Sequence, residues 1–270
     1  MFSLSCSWRV RVIATVLLSC AAGSSTVLVE TRDGKDNIAP QQLREITDPH
    51  TFSALVHAPP RVDSMPLPLL LYLHGAGESG TSVRELISEG ATGTPPVELE
   101  RGTALGVLSK RFVMVAPQTS HGWDPDEIAK FVDFLLKPSD GHGLPPIDPK
   151  RCYVTGHSMG GAGALSAATL RRFAAVVPVA PAGSVRPNDL KGVPMWAFHG
   201  KNDVIVPSDY SERLVKKLRA LGANESEVRL TLYEQAPAPI GWASYDGHGS
   251  PIPAYATPEL YRWLLEQRLP

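Results

Sequence analysis

The 270-residue chain carries a formal net charge of -1, with 43% hydrophobic and 20% charged residues. This balance is typical of a globular protein, and it excludes a strongly basic nucleic-acid-binding chain and a highly charged disordered one. The length favours one α/β domain with a single large core over two small domains.

The N-terminus predicts a secretory signal peptide over residues 1–23. Two arginines precede an apolar run over 12–18, and small residues follow it. Because this run is too short to span a bilayer, we expect no stable membrane insertion. A mature domain over 24–270 would then be secreted or periplasmic. A lipid anchor on Cys20 and an uncleaved N-terminal strand are the alternatives.

Cysteine and histidine spacing gives no sign of a metal centre. Two of the three cysteines fall in the predicted signal peptide, and the third, Cys152, lies in a predicted buried strand. A lone buried cysteine is usually a small core residue, and no histidine pair has zinc-site spacing. We therefore expect no disulfide, no metal and no cofactor.

The middle and end of the chain alternate between apolar strand patterns and amphipathic helix patterns, which predicts a mostly parallel central sheet flanked by helices. The first two strands are expected to pair antiparallel, ahead of strands buried on both faces. Predicted strands cover 26–36, 51–58, 69–73, 112–117, 152–155, 173–179, 194–198 and 228–233. Helices are predicted over 128–136, 208–221 and 258–267, and a further helix is predicted to begin at Met159. Residues 59–68 and 235–249 are predicted loops.

A G-x-S-x-G pentapeptide over 156–160 stands between a predicted strand and a predicted helix. In this context the pentapeptide predicts a sharp turn that exposes the hydroxyl of Ser158 above the sheet. The flanking glycines are required because strand and helix cross closely there. An ordinary glycine-rich turn is the alternative, so the serine needs partners elsewhere in the chain.

The glycine-rich stretch over 74–80 follows another buried strand. It has neither the lysine of a phosphate-binding loop nor the G-x-G-x-x-G pattern of a dinucleotide site, so nucleotide binding is disfavoured. A loop in this position can place a backbone N–H beside the N–H that follows the serine. We therefore predict an oxyanion hole formed by the N–H groups of Ala76 and Met159.

A nucleophilic serine needs a histidine to take its proton and a carboxylate to orient that histidine. The chain offers Ser158, Asp203 and His248 in that order, each in a loop after a predicted strand. A turn aspartate is the alternative for Asp203. Of the rival acids, Asp209 fits the first turn of a helix capped by Ser208, and Asp246 is too close to the histidine in sequence.

The other seven histidines fit the role of base less well because of where they lie. They fall within a strand, before a glycine at a strand end, inside the pentapeptide, or too early in the chain for this order. They are His50, His57, His74, His121, His142, His157 and His199.

With these residues in place, the chain resembles the esterase branch of the α/β-hydrolases, a group of predicted peptidases and phospholipase/carboxylesterase-like proteins related to feruloyl esterases and polyhydroxybutyrate depolymerases. The resemblance implies a single-domain α/β-hydrolase fold. It departs at 247–250, which lacks the tryptophan of the relatives' Gly-His-x-Ser-Trp stretch and follows an apparent insertion over 236–245. The matching segments are 71–78, 115–118, 156–161, 196–207 and 258–265.

The leading hypothesis is therefore a secreted serine hydrolase that cleaves a small or polymer-linked carboxylic ester through an acyl-enzyme. A serine peptidase of the same fold and a non-catalytic binding protein on a hydrolase scaffold are the alternatives. We further expect His157, Trp123 and Gln118 to contribute to substrate binding, although Trp123 would serve equally well as a packing residue.

Overall fold

The computed structural model describes residues 43–60, 65–137 and 141–270. All of them fall within one compact unit. The predicted signal peptide, Cys20 and the predicted strand over 26–36 lie outside the described residues.

The described residues form an eight-stranded sheet in the order β1-β2-β4-β3-β5-β6-β7-β8. The strands from β3 to β8 pair in parallel, while β1 pairs antiparallel with β2, and β2 pairs antiparallel with β4. The predicted antiparallel pairing of 26–36 with 51–58 is not tested, because 26–36 lies outside the described residues. Strand β2 pairs antiparallel with β1, which was not predicted, and with β4, which was. The strands are β1 Arg44–Thr47, β2 Ser53–His57, β3 Leu67–Leu73, β4 Val113–Pro117, β5 Ile147–His157, β6 Ala175–Val179, β7 Met195–Gly200 and β8 Val228–Tyr233.

Seven α-helices of the described residues cover the two faces of this sheet. The helices are α1 Pro95–Arg101, α2 Gly106–Arg111, α3 Pro125–Leu136, α4 Met159–Ala168, α5 Asp209–Ala220, α6 Pro251–Tyr255 and α7 Pro258–Glu266. Side chains of α3, α4 and α5 pack into one hydrophobic cluster, and those of α1, α2, α6 and α7 pack into the other.

Strand β3 shows why its sequence is a continuous apolar run. Leu69, Leu71 and Leu73 point into the first cluster, while Leu70 and Tyr72 point into the second. Because successive side chains of a strand face opposite sides, a strand covered by helices on both faces needs apolar residues at every position. All five are at most 1% exposed. The prediction of a mostly parallel sheet flanked by helices is confirmed.

Two local predictions need correction. The loop predicted over 59–68 ends earlier, because β3 already begins at Leu67. Ser208 does not cap α5 through its side chain; its hydroxyl instead donates a hydrogen bond to the Glu212 carboxylate. Helix α6 was not predicted, because five residues with prolines at both 251 and 253 show no helical period.

Candidate active site

The nucleophile candidate lies at the turn between β5 and α4. Ser158 has φ +55° and ψ -115°, a conformation that side-chain-bearing residues rarely adopt. Such strain costs roughly 1–3 kcal/mol and persists only where the surrounding structure enforces it. Here the N–H of Ser158 donates to Val179 O of β6, and its carbonyl accepts from Ala162 and Ala182. The strained turn leaves the hydroxyl half-buried at the carboxyl edge of the sheet.

Close packing explains the glycines around the serine. A Cβ on Gly160 would lie 1.9 Å from the carbonyl oxygen of Leu73 on β3. A Cβ on Gly156 would lie 2.4 Å from the carbonyl oxygen of Gly160. Both contacts are with backbone, which cannot move aside as a flexible side chain would. Only glycine therefore allows α4 to cross this close to the sheet.

The structure brings the three predicted residues into one hydrogen-bonded chain. Ser158 Oγ lies 3.0 Å from Nε2 of His248, and Nδ1 of that histidine lies 2.8 Å from Oδ2 of Asp203. His248 is 4% exposed and Asp203 is 8% exposed. The chain links residues 45 and 90 positions apart, so the sheet topology rather than local sequence brings them together.

Asp203 is held as a carboxylate by the loop that follows β7. Its Oδ1 accepts hydrogen bonds of 2.9 Å from the N–H groups of both Ile205 and Val206. Nε2 of the fully buried His199 lies 3.4 Å from its Oδ2. Burial alone would raise the pKa of Asp203, but the hydrogen bonds from His199, His248 and Val206 outweigh it and hold that pKa well below its usual range. The acid is therefore ionised at neutral pH.

The loop over 235–249 is fastened to the acid-bearing loop at both ends, despite its irregular sequence. The Asn202 side chain exchanges two hydrogen bonds with the backbone of Ala236, at 2.8 and 3.0 Å. Near the other end, the N–H of Val204 donates to Asp246 O. Gly247 has φ +78°, and a Cβ there would lie 2.4 Å from the Asn202 backbone. The apparent insertion therefore supports the position of His248.

The two predicted oxyanion donors are the first residues of helical turns. Ala76 begins a 3-10 turn over Ala76–Glu78 directly after β3, and Met159 begins α4. Among the described residues, neither N–H has a hydrogen-bond partner. The loop before Ala76 is fixed through His74, whose Nε2 accepts from Thr119 N and whose carbonyl accepts from Trp123 Nε1. Two free N–H groups on fixed turns are what an oxyanion site requires.

The three predicted substrate-binding residues use their polar atoms inside the protein. The Gln118 amide donates to the carbonyls of Glu78 and Ser82, each at 2.9 Å. The Trp123 ring packs against Phe52, at 5.6 Å between centroids, in addition to its bond to His74. These contacts favour a structural role for both. Their contact with substrate remains a prediction.

The side chain of His157 packs against His248. The two rings are 4.7 Å apart, and Nε2 of His157 lies 2.9 Å from the carbonyl oxygen of His248. Burial, followed by the charge of His248, lowers the pKa of His157 to about 3. A neutral His157 can only donate from Nε2 to this carbonyl, so its Nδ1 carries no proton. It orients the backbone of His248, and its contact with substrate remains a prediction.

Sequence reasoning missed Glu78, a second buried carboxyl near His248. Its side chain comes from the 3-10 turn after β3 and is 7% exposed. A Cβ built on Gly75 would lie 3.1 Å from Glu78 Oε2 and 3.4 Å from His157 Nδ1, which places these groups around one point. Burial raises the pKa of Glu78, against the smaller opposing effects of its own N–H, the Gly75 N–H and His248. Glu78 lies within the glycine-rich stretch over 74–80, where no sequence pattern marks an acid as buried.

The described residues contain neither a metal-binding cluster nor a membrane-spanning helix. In residues 43–60, 65–137 and 141–270, no group of three or more histidine, cysteine or acidic side chains is arranged to hold a metal ion. Across the same ranges, no helix has the length and apolar character needed to cross a membrane. Cys152 is a buried free thiol on β5.

Solved structures with a similar fold are hydrolases. A thermostable esterase is 29% identical with a TM-score of 0.62, over 84% of this chain and 63% of that one. An acylaminoacyl peptidase from Pyrococcus horikoshii is 15% identical with a TM-score of 0.56, over 84% and 42%. A protein described as a dienelactone hydrolase from Klebsiella pneumoniae is 17% identical with a TM-score of 0.56, over 83% and 98%.

The chain thus spans less than two thirds of the length of the esterase and of the peptidase. No protein-family model matches the sequence. No curated protein matches it either.

Proposed function

The chain has the α/β-hydrolase fold, and on this premise we propose that it is a serine hydrolase that cleaves carboxylic esters. The observation that carries the proposal is the hydrogen-bonded chain from Ser158 Oγ through His248 to the Asp203 carboxylate. The esterase is also the most similar of the three solved structures by identity and TM-score.

In the proposed mechanism His248 Nε2 takes the hydroxyl proton as Ser158 Oγ attacks the ester carbonyl. The N–H groups of Ala76 and Met159 donate to the oxygen that becomes negative in the tetrahedral intermediate. His248 then passes its proton to the departing alcohol, which leaves an acyl-serine. Water, deprotonated by the same nitrogen, attacks the acyl carbonyl. The bond from that carbon to Ser158 Oγ then breaks, the carboxylic acid leaves, and His248 returns its proton to Oγ.

Asp203 supports each of these steps without changing its own charge. Its carboxylate accepts the Nδ1–H of His248, which leaves Nε2 free to face the serine. When the imidazole becomes positively charged, the ionised acid stabilises it. The low pKa of Asp203 keeps the acid ionised throughout the cycle.

The first test is hydrolysis of p-nitrophenyl esters from acetate to octanoate by the full chain and by Ser158→Ala. We expect the substitution to lower kcat/KM on the order of 10⁴-fold or more, because the nucleophile is removed. Ser184→Ala is the matched control, since this exposed hydroxyl bonds to the Val185 carbonyl. Hydrolysis that survives Ser158→Ala would contradict the proposal.

The same preparation separates ester from peptide cleavage. Because one of the structurally similar proteins is an acylaminoacyl peptidase, an acyl-amino-acid p-nitroanilide is the amide substrate to compare with the esters. Faster turnover of the anilide than of the matching p-nitrophenyl ester would make the protein a peptidase. Labelling of Ser158 by a fluorophosphonate without turnover of either substrate would support the nucleophile and contradict the substrate class.

Export remains part of the proposal. We propose that the signal peptide over 1–23 is removed and that the mature protein acts outside the cytoplasm on a small or polymer-linked ester. The mass of the protein recovered from its native host tests this directly, because an intact residue 1–23 segment would contradict it.

A further inference from the structure

We propose that Tyr245 and Trp242 form a binding subsite for an aromatic ring on the alcohol side of the ester. The inference deepens the proposed ester hydrolysis and rests on it. Both residues belong to the 235–249 loop, whose apparent insertion sets this chain apart from the family it resembles.

The rings of Tyr245 and Trp242 follow the ring of His248 in a series of ring contacts. The Tyr245 ring centroid lies 6.4 Å from that of His248, and the Trp242 centroid lies 5.0 Å from that of Tyr245. His248 is buried, Tyr245 is half-buried and Trp242 is 45% exposed. The three rings therefore form a row that leads from the reaction centre to solvent.

The backbone fixes this row. The N–H of His248 donates to Tyr245 O, the N–H of Tyr245 donates to Trp242 O, and the N–H of Trp242 donates to Pro239 O. These successive turns repeat every three residues and fix the backbone of all three ring-bearing residues. Because the row is held before substrate arrives, little ordering entropy is lost on binding.

Trp242 also reaches the loop that precedes α1. Its Nε1 lies 3.1 Å from the position that a Cβ on Gly90 would take. The indole edge thus rests against a residue without a side chain, while much of the ring stays open to solvent. Ile240 (48%) in the same loop and Val204 (64%), whose N–H bonds to Asp246, are exposed as well. These two residues add exposed apolar side chains to the loops that carry His248 and Asp203.

The position beside His248 indicates which half of the ester would occupy this surface. The base that protonates the leaving oxygen must lie next to the alcohol portion. The ring of His248 lies 4.7 Å from the ring of the buried His157 and 6.4 Å from the ring of the half-buried Tyr245. In this proposal the alcohol portion leaves toward the less buried Tyr245 and Trp242.

Ring geometry favours an aromatic occupant. Tyr245 and Trp242 are tilted by 55° to each other, so a third ring can meet one of them in an offset stack or the other edge-on. Such contacts stabilise an aromatic group by about 0.5–1.5 kcal/mol beyond its apolar area, which corresponds to a roughly 2–10-fold gain in affinity.

The test compares acetates of methyl, cyclohexylmethyl, benzyl and 2-naphthylmethyl alcohols, whose leaving groups have similar basicity. For the wild type we expect kcat/KM to rise from cyclohexylmethyl to benzyl to naphthylmethyl. Trp242→Ala should lower kcat/KM about tenfold for the two aryl esters, chiefly through KM, and leave methyl acetate within about twofold. Trp242→Phe should retain the preference, and Leu170→Ala controls for loss of an exposed apolar side chain elsewhere.

Three outcomes would overturn the proposal. Equal loss on all four acetates would mean that Trp242 only supports the loop. Equal loss on cyclohexylmethyl and benzyl acetate would mean an apolar surface without aromatic preference. A loss on methyl phenylacetate as large as that on benzyl acetate would place the ring on the acyl side.

The experiment distinguishes a failure of the proposed function from a failure of the proposed subsite. If the wild type hydrolyses no acetate and no p-nitrophenyl ester, both proposals fall. If hydrolysis depends on Ser158 but the aryl preference is absent, only the subsite falls.

Discussion

Two buried carboxyls lie near His248, and their pKa values are displaced in opposite directions. Asp203, after β7, is 8% exposed, and Glu78, after β3, is 7% exposed. The pKa of Asp203 is lowered, whereas that of Glu78 is raised. Burial therefore does not decide the charge of a carboxyl by itself. The number and kind of hydrogen-bond donors around it do.

The donors differ clearly between the two loops. Asp203 accepts two backbone N–H bonds and faces two imidazoles, His199 and His248. Glu78 has the N–H of Gly75 and its own N–H, and burial outweighs them. Asp203 thus stays ionised beside a positively charged His248, whereas the surroundings of Glu78 favour its protonated form.

The largest expected effect comes from Asp203→Asn. An amide can donate a hydrogen bond to Nδ1, which places the imidazole proton on Nε2 and prevents it from accepting the serine proton. We expect kcat/KM for p-nitrophenyl acetate to fall about 10³–10⁴-fold. Asp209→Asn is the control, because this exposed acid pairs with Arg213 on α5. A loss below tenfold would remove Asp203 from the proposed mechanism.

Glu78→Gln tests the raised pKa of Glu78 through its effect on the free energy of unfolding. A raised pKa means that the folded protein holds the Glu78 proton more tightly than the unfolded chain. The stability that this proton contributes is complete below the unfolded pKa of 4.5 and is lost as pH rises through the folded pKa. Because glutamine cannot ionise, Glu78→Gln does not lose this stability as the pH rises. Its unfolding free energy relative to that of the wild type should therefore increase across that pH window, by about 1.4 kcal/mol for each pKa unit by which folding raises the pKa of Glu78.

Urea unfolding at a series of pH values measures this difference, with the exposed Glu266→Gln as control. The opposite sign holds for Asp203, whose lowered pKa gives stability above 3.8 that disappears as pH falls through the folded value. A pH-independent difference between Glu78→Gln and the wild type would show that Glu78 titrates as it does in the unfolded chain.

The smallest expected effect comes from Gly75→Ala, which crowds the point shared by Glu78 and His157. The new Cβ would lie 3.1 Å from Glu78 Oε2 and 3.4 Å from His157 Nδ1. Gly75 has φ -79°, so alanine strains no backbone angle. We expect a loss of about 1 kcal/mol in urea unfolding. Gly77→Ala meets no atom within 4 Å and is the control; equal effects would mean that the point is not tightly packed.

The sequence predicted most of the sheet and assembled the candidate triad for one physical reason. In a parallel sheet the loops after the strands meet at one edge, so Ser158, Asp203 and His248 could be grouped without knowing any distance. Glu78 could not be interpreted in this way. Its burial depends on a 3-10 turn that folds the side chain inward, and an acid after a glycine-rich stretch has no pattern that predicts such a turn.

The row from His248 to Trp242 was hidden for a related reason. Residues 235–249 have no period of 2 or 3.6, so the sequence predicted only a loop. The order in this segment comes from repeated three-residue turns and from bonds to the Asn202 side chain. Trp123 is the opposite case, because the sequence suggested both of its possible roles, substrate binding and packing. Its contacts with Phe52 and His74 favour packing.

The crowded crossing of α4 over β3 also has an evolutionary consequence. Selection on chemistry acts on Ser158, but selection on folding acts on Gly156 and Gly160, because any side chain there would overlap backbone atoms. A descendant that abandoned catalysis could replace the serine by any residue that tolerates its positive φ, but it would still have to keep both glycines. The two glycines therefore reflect the fold, whereas Ser158, together with Asp203 and His248, reflects whether the reaction has been retained.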